Sequence, residues 1–270
     1  MRLIRPLLKL YGKQGDYVER LPGHTLDEVD PADSRPLSIN SYQNVRPVKI
    51  SCEFKLSQEQ FYDEDAVHTL AIEAAYRVAQ AEDAVILRGA NANADQFLDK
   101  LSVTVDDLTA AQGLLQTAQP PPDELPPLPP PPRGSQPVQI PDERSILAHI
   151  VQGIRDLQQN GRYSKYASIV GLGLYEQAMK PRGGRSFRAE VYEIRLLLVE
   201  NGFVYCPAAP DRAGVIFSLS GDGIKLAVPV DARVEFIEEK RDVTLQVVEQ
   251  IALLVDVPKA VAALRKTPGE

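Results

Sequence analysis

The chain has no tryptophan, two cysteines, two methionines and three histidines among 270 residues. It also lacks any apolar run of the roughly 18 residues that a membrane-crossing helix needs, so a transmembrane helix is excluded. Met1-Arg2-Leu3-Ile4-Arg5-Pro6 has neither the long apolar stretch nor the small-residue cleavage site of a signal peptide, and a soluble, cytoplasmic protein is expected. Cys52 and Cys206 cannot build a disulfide scaffold and read as two buried, reduced thiols. Positive charge is in deficit. Thirty Lys+Arg stand against 37 Asp+Glu, a net charge of −7 with a pI near 5.2, which argues against a sequence-independent nucleic-acid binder while leaving room for a local basic patch.

The motifs of the common enzyme classes are missing as well. There is no phosphate-binding P-loop, no His-Glu-x-x-His, no Cys-x-x-Cys and no Gly-x-Ser-x-Gly. Gly171-Leu172-Gly173 lacks the third glycine of a dinucleotide fingerprint and is explained as a tight turn. His24, His68 and His149 fall in different elements, so no metal or catalytic site is expected of them. Neither a cofactor nor an enzymatic activity is expected.

What the chain does have is 44% hydrophobic and 25% charged residues, ordinary globular composition for one large domain or two smaller ones. Residues 1–44 are polar and broken by Pro6, Pro22, Pro31 and Pro36, an extended arm without its own core. Val48 to Leu56 alternates apolar and polar, the period of a half-buried strand. Ser57, with Gln60 three places on, has the spacing of a capping box. Ala66, Leu70, Ala74, Val78, Ala81 and Val85 then recur at helical spacing, which predicts one amphipathic helix from Ser57 to about Arg88, stopped by Gly89 and about 45 Å long.

From Gln119 to Arg133 nine of fifteen residues are proline, which excludes helix and ladder and predicts a solvated polyproline segment. It serves as a spacer or, less simply, as a docking motif for a proline-binding module. Beyond it, Pro141 or Asp142 opens a helix that stops at Asn160-Gly161. A strand over Tyr166–Val170, a helix over Leu174–Met179 and another over Phe187–Asn201 follow. Strands are then predicted at 203–205, 214–219, 224–230, 234–239 and 243–248, with Gly221-Asp222-Gly223 as a hairpin turn. The class is α+β with antiparallel strands.

Two charged features stand out. Glu82-Asp83 sits late in the long helix, where one acid turned inward needs a basic partner such as Arg88 or Arg241. Lys180 to Arg188 holds four basic residues in nine, and Gly183 and Gly184 make it a flexible loop.

The order of these pieces resembles the encapsulin shell protein, the linocin-like bacteriocin family that shares the HK97-like fold of tailed-phage major capsid proteins. The residues that carry the resemblance are Arg46 to Leu56 followed by the helix end Ala81-Glu82-Asp83-Ala84-Val85-Ile86-Leu87-Arg88-Gly89, then Ile146 to Met179, then Ile237-Glu238-Glu239 to Val255. The resemblance implies an N-terminal arm and extended loop (1–56), a peripheral domain with the spine helix (57–118), a Pro-rich insertion (119–140), an apical domain (141–231), return strands of the peripheral domain (232–257) and a C-terminal tail (258–270). It implies a self-assembling icosahedral homo-oligomer that encloses a cargo protein, with the arm reaching across neighbouring subunits. The alternative is a phage or prophage major capsid protein enclosing DNA, located in the virion. It further implies that Lys180, Arg182, Gly183, Gly184, Arg185 and Arg188 form a pore loop at the five-fold axis. By the resemblance, the chain starts close to where the family's longer, cargo-facing N-terminal helix ends, so cargo docking as the family builds it is not expected, and without tryptophan its flavin site is not carried over.

Overall fold

The structure, a computed structural model, describes residues 3–5, 9–11, 47–118, 145–163, 165–181, 189–219, 223–255 and 257–265. Two mixed sheets organise these residues. The first has the order β1 (Lys9–Tyr11), β7 (Ile224–Glu239), β8 (Asp242–Val255), β2 (Val48–Ser57), β3 (Thr104–Asp106); the second runs β5 (Phe203–Tyr205), β4 (Tyr166–Val170), β6 (Ala213–Ser218), β9 (Val261–Arg265). Each sheet contains one parallel pair, β1 with β7 and β4 with β5, so the expectation of antiparallel strands throughout is corrected.

The alternation read at Val48–Leu56 does make a strand: Val48, Ile50, Cys52 and Leu56 are buried while Glu53 and Lys55 are exposed. It pairs with β8 in unbroken register from Val48↔Ile251 to Ser57↔Asp242. The capping box at Ser57 and Gln60 also forms, with reciprocal bonds of 3.2 and 3.0 Å. It opens only the short helix α1 (Gln58–Phe61). The expected single helix is broken at Tyr62, which is 82% exposed, and restarts at Asp63, whose carboxylate accepts from the backbone of Asp65. The spine helix α2 is therefore Glu64–Arg88, 25 residues and about 37 Å. Every residue from Ala81 to Arg88 is buried, because this end is enclosed on all sides. A helix apolar on one stripe belongs on a surface; one enclosed all round sits within the core. Gly89 ends it at φ 55°.

Two further single-turn helices follow, α3 (Phe97–Lys100) and α4 (Leu114–Thr117), and the next described residue is Ser145. That residue caps α5 (Ile146–Gln159) through a bond from Ala148 N, and the expected helix start at Pro141 or Asp142 lies outside the described residues. The helices α6 (Leu172–Met179) and α7 (Val191–Leu197) follow. The helix expected over Phe187–Asn201 is thus shorter, and Phe187 and Arg188 lie outside the described residues.

The second sheet is the middle layer between two cores. In β4, Ala167 and Ile169 face the core shared with α2 and the first sheet, while Tyr166 and Val170 face α5, α6 and α7. β6 and β9 divide in the same way, Val215, Phe217, Val261 and Ala263 against Ile216, Ala262 and Leu264. The two-residue strand period sends neighbours to opposite faces, and with both faces covered these strands show little polar alternation. Each large side chain so buried contributes roughly 2 kcal/mol.

Two expectations about connectivity are corrected. β6 and β7 belong to different sheets, so Gly221-Asp222-Gly223 joins no hairpin; Gly221 and Asp222 themselves lie outside the described residues. The strands expected at 224–230 and 234–239 are one strand with register shifts at Ala227/Val230, Val230/Arg233 and Phe236/Glu238. Pro229 sits in the first of these, where its missing N–H is tolerated. The boundary drawn at 231/232 falls inside this strand. The expected C-terminal tail contains β9, which pairs with β6 from Phe217↔Val261 to Ala213↔Arg265.

Candidate functional site

Among the described residues there is no group of three or more His, Cys, Asp or Glu side chains able to hold a metal ion, and no helix is long and apolar enough to cross a membrane. The unusual chemistry of this chain lies in its docked N-terminus and in apolar side chains left on the outside.

The N-terminal segment lies against its own chain. Ile4 is fully buried in the core. The backbone N–H groups of Leu3 and Ile4 donate to the Asp83 carboxylate at 3.0 and 2.9 Å. Arg5 reaches three acids from three elements: its Nη1 lies 2.8 Å from Glu249 Oε1 on β8 and 3.9 Å from Glu82 Oε1 on α2, and its Nη2 lies 3.2 Å from Asp231 Oδ1 on β7. Glu82 and Glu249 are both 0% exposed, and carboxylates so buried are tolerated because opposite charge and donors meet them. The sequence pointed to Arg88 or Arg241 as the partner of Glu82-Asp83; Arg5 takes that place. Arg88 is instead held by Asp95 at 2.9 Å and by the carbonyl of Ala208, with Phe97 under its guanidinium. β1 then adds to β7 at Lys225, Leu226 and Ala227.

Both cysteines are free and buried, as expected. Burial raises each thiol above its ordinary range, that of Cys206 to about 12, with the nearby Asp83 charge adding to the rise.

Outside, the far part of the β7–β8 hairpin carries Val234, Phe236 and Ile237, of which Phe236 is 57% exposed. Val234 and Phe236 stand opposite Val247 and Leu245, which are buried. Cross-strand partners share a face, so these two side chains extend the apolar face of the first sheet past its cover. Sequence alternation alone would have put them inside. Arg233 donates to Glu235 on the same strand and holds that carboxyl below its usual range. On the outer face of α2, Ile72 and Tyr76 are exposed one turn apart, and on α7 so are Tyr192 and Leu196.

The candidate pore loop is only partly visible. Lys180 is exposed at the end of α6, and Pro181 and Ala189 form an antiparallel bridge that brings the two ends of the loop together. Arg182, Gly183, Gly184, Arg185 and Arg188 lie outside the described residues.

A family model described as encapsulating protein for peroxidase, Linocin_M18, matches residues 131–252. No curated protein matches the sequence. Among solved structures, a virus-like particle from Pyrococcus furiosus aligns with TM-score 0.57 at 12% identity over 83% of this chain and 78% of that chain. A chain of Mycobacterium phage Cain gives 0.54 at 13% over 83% and 73%, and the capsid of an empty GTA particle 0.51 at 16% over 80% and 72%. The fold shared with these structures is the HK97-like capsid fold, α+β as expected.

Proposed function

We propose that this chain, with its HK97-like fold and an encapsulin-family match over residues 131–252, is the self-assembling shell protein of an icosahedral nanocompartment that encloses a cargo protein. The observation that carries the reading is this pairing of a shell fold with an encapsulating-protein sequence signature. Unburied apolar groups on three separate elements support it. Val234 and Phe236 on β7, Ile72 and Tyr76 on α2, and Tyr192 and Leu196 on α7 give a subunit several sticky faces, as a closed shell built from one chain requires.

Residues 12–46 leave the first sheet beside Ala227 and return to it at Val48, opposite Ile251. These points are about 15 Å apart, three strand spacings, yet 35 residues join them. In our reading this excursion reaches a neighbouring subunit, where its backbone groups find partners. The basic loop from Lys180 to Arg188 lies at a symmetry axis, where repetition multiplies its charge into a ring. The protein works as a scaffold in the cytoplasm and not as an enzyme.

The second reading, a tailed-phage or prophage capsid protein enclosing DNA, is favoured by the likeness to phage chains. Negative-stain microscopy of the purified protein tests both. Closed shells containing protein support the first reading and shells packed with DNA the second. A monomer at micromolar concentration would sink them together.

A further inference from the structure

We infer that the N-terminal segment is a strap that fixes the bend of β7 and thereby the direction in which the β7–β8 hairpin projects. The bend has a covalent origin. Between Ala227 and Val230 β7 advances three residues while β8 advances two, from Ala252 to Gln250, and the same happens between Val230 and Arg233. Pro229, which has no N–H to give the ladder, lies in the first irregularity. Two bulges in succession bend a strand and increase its twist, and they leave backbone groups that the ladder does not hold. Residues 228–232 are therefore the natural hinge between the inner part of the hairpin and the outer part that bears Val234 and Phe236.

The strap grips the strand before that hinge and the hinge itself. β1 pairs with Lys225, Leu226 and Ala227 immediately before it. Arg5 bonds Asp231 within it, and the same guanidinium is anchored in the core by Glu249 on β8. Asp83 on α2 holds the strap's backbone at Leu3 and Ile4. One short segment thus ties the helix, the straight strand and the bent strand together. Any change in hairpin direction has to stretch the Arg5–Asp231 contact or pull β1 from its edge. Arg5 and Asp231 are positioning residues for the hairpin.

Hydrogen exchange on the full chain tests the strap with Arg5→Gln and Asp231→Asn. Asp231 is mostly exposed, so the second variant leaves the buried acids and their partner in place. The amides of 228–233 should exchange at least about tenfold faster in R5Q and about two- to fivefold faster in D231N, with 166–170 of β4 unchanged in D231N. Where R5Q fails to fold, D231N decides. Wild-type exchange at 228–233 in D231N overturns the inference, and so does an equal rise in β4, which would make the strap a general stabiliser. Particle diameter is a second measure that rests on the shell reading: a released hinge broadens it. Exchange is read on the subunit, so a protein that forms no shells would refute that reading and leave the strap standing or falling on its own result.

Discussion

Gly89→Ala is the most informative single change to the frame that carries these surfaces. Gly89 ends the spine helix with φ 55° and ψ −130°, a combination nearly closed to residues with a Cβ and worth about 1–3 kcal/mol of strain. A methyl there would also lie 2.5 Å from Gly113 N, 2.6 Å from Gln116 Oε1 and 2.7 Å from Ala111 O. Two of these are backbone atoms and cannot swing aside, so overpacking adds about 1–3 kcal/mol. The sum is about 4 kcal/mol. At about 2–4 °C per kcal/mol for a domain of this size, the midpoint should fall by about 8–16 °C. Gly161→Ala separates the two causes: its φ is 80°, but nothing lies within 4 Å of the added Cβ, so backbone strain acts alone and the loss should be a few degrees. Thermal unfolding followed by circular dichroism at matched concentration reads both variants. A G89A midpoint within a degree of the wild type would refute the account of how the spine helix ends, and equal losses in the two variants would refute the contribution of the clash.

Three further changes probe other parts. The Cys206 thiol is raised to about 12 in the folded protein from about 9 when exposed, so the folded state holds its proton longer; stability should be full below about pH 9 and decline toward pH 12, and Cys206→Ala should remove that part of the decline in urea titrations. Replacing Pro120 to Pro132 by a shorter Gly-Ser linker should leave shells and melting nearly unchanged, because loop closure changes by only about 0.6 kcal/mol per doubling of length; loss of shells on microscopy would make the tract an interface. Changing Arg182 and Arg185 to Glu should slow a small anionic quencher relative to a cationic one entering shells that hold a fluorescent cargo, as charged rings do in channels. Unchanged relative rates would remove the pore.

The parts legible in the sequence were those whose signal is local. β2 showed because one of its faces is buried and the other wet, and Ser57 and Gln60 showed because a capping box lies within four residues. The break at Tyr62 did not show, since apolar spacing continues through it and only the capping carboxylate of Asp63 marks the restart. β9 was hidden for the opposite reason: Val261, Ala262, Ala263 and Leu264 are all buried, and a strand covered on both faces has no alternation to read. The strands read separately at 224–230 and 234–239 are one, because register shifts interrupt the apolar pattern without ending the pairing. Gly221-Asp222-Gly223 has the composition of a tight turn, and composition says nothing about whether the chain then pairs back or crosses to a second sheet.

The strap could not be read locally at all, and the reason bears on how the subunit is built. Arg5 meets Asp231 and Glu249 across more than 200 positions, in a stretch whose prolines and polar residues describe an arm without a core. Part of that arm does belong to the core: Ile4 fills a fully buried site, and buried Asp83 accepts from the strap's backbone. β1, just before residue 12, covers the sheet edge at Lys225–Ala227. Removing residues 1–44 as a block would therefore confuse two roles, since it takes the cover from buried acids as well as the reach from the subunit. A deletion confined to 12–46, with a linker long enough to span about 15 Å, isolates the reach. If 3–11 fold the subunit and 12–46 join it to its neighbours, that variant stays folded and fails to close shells.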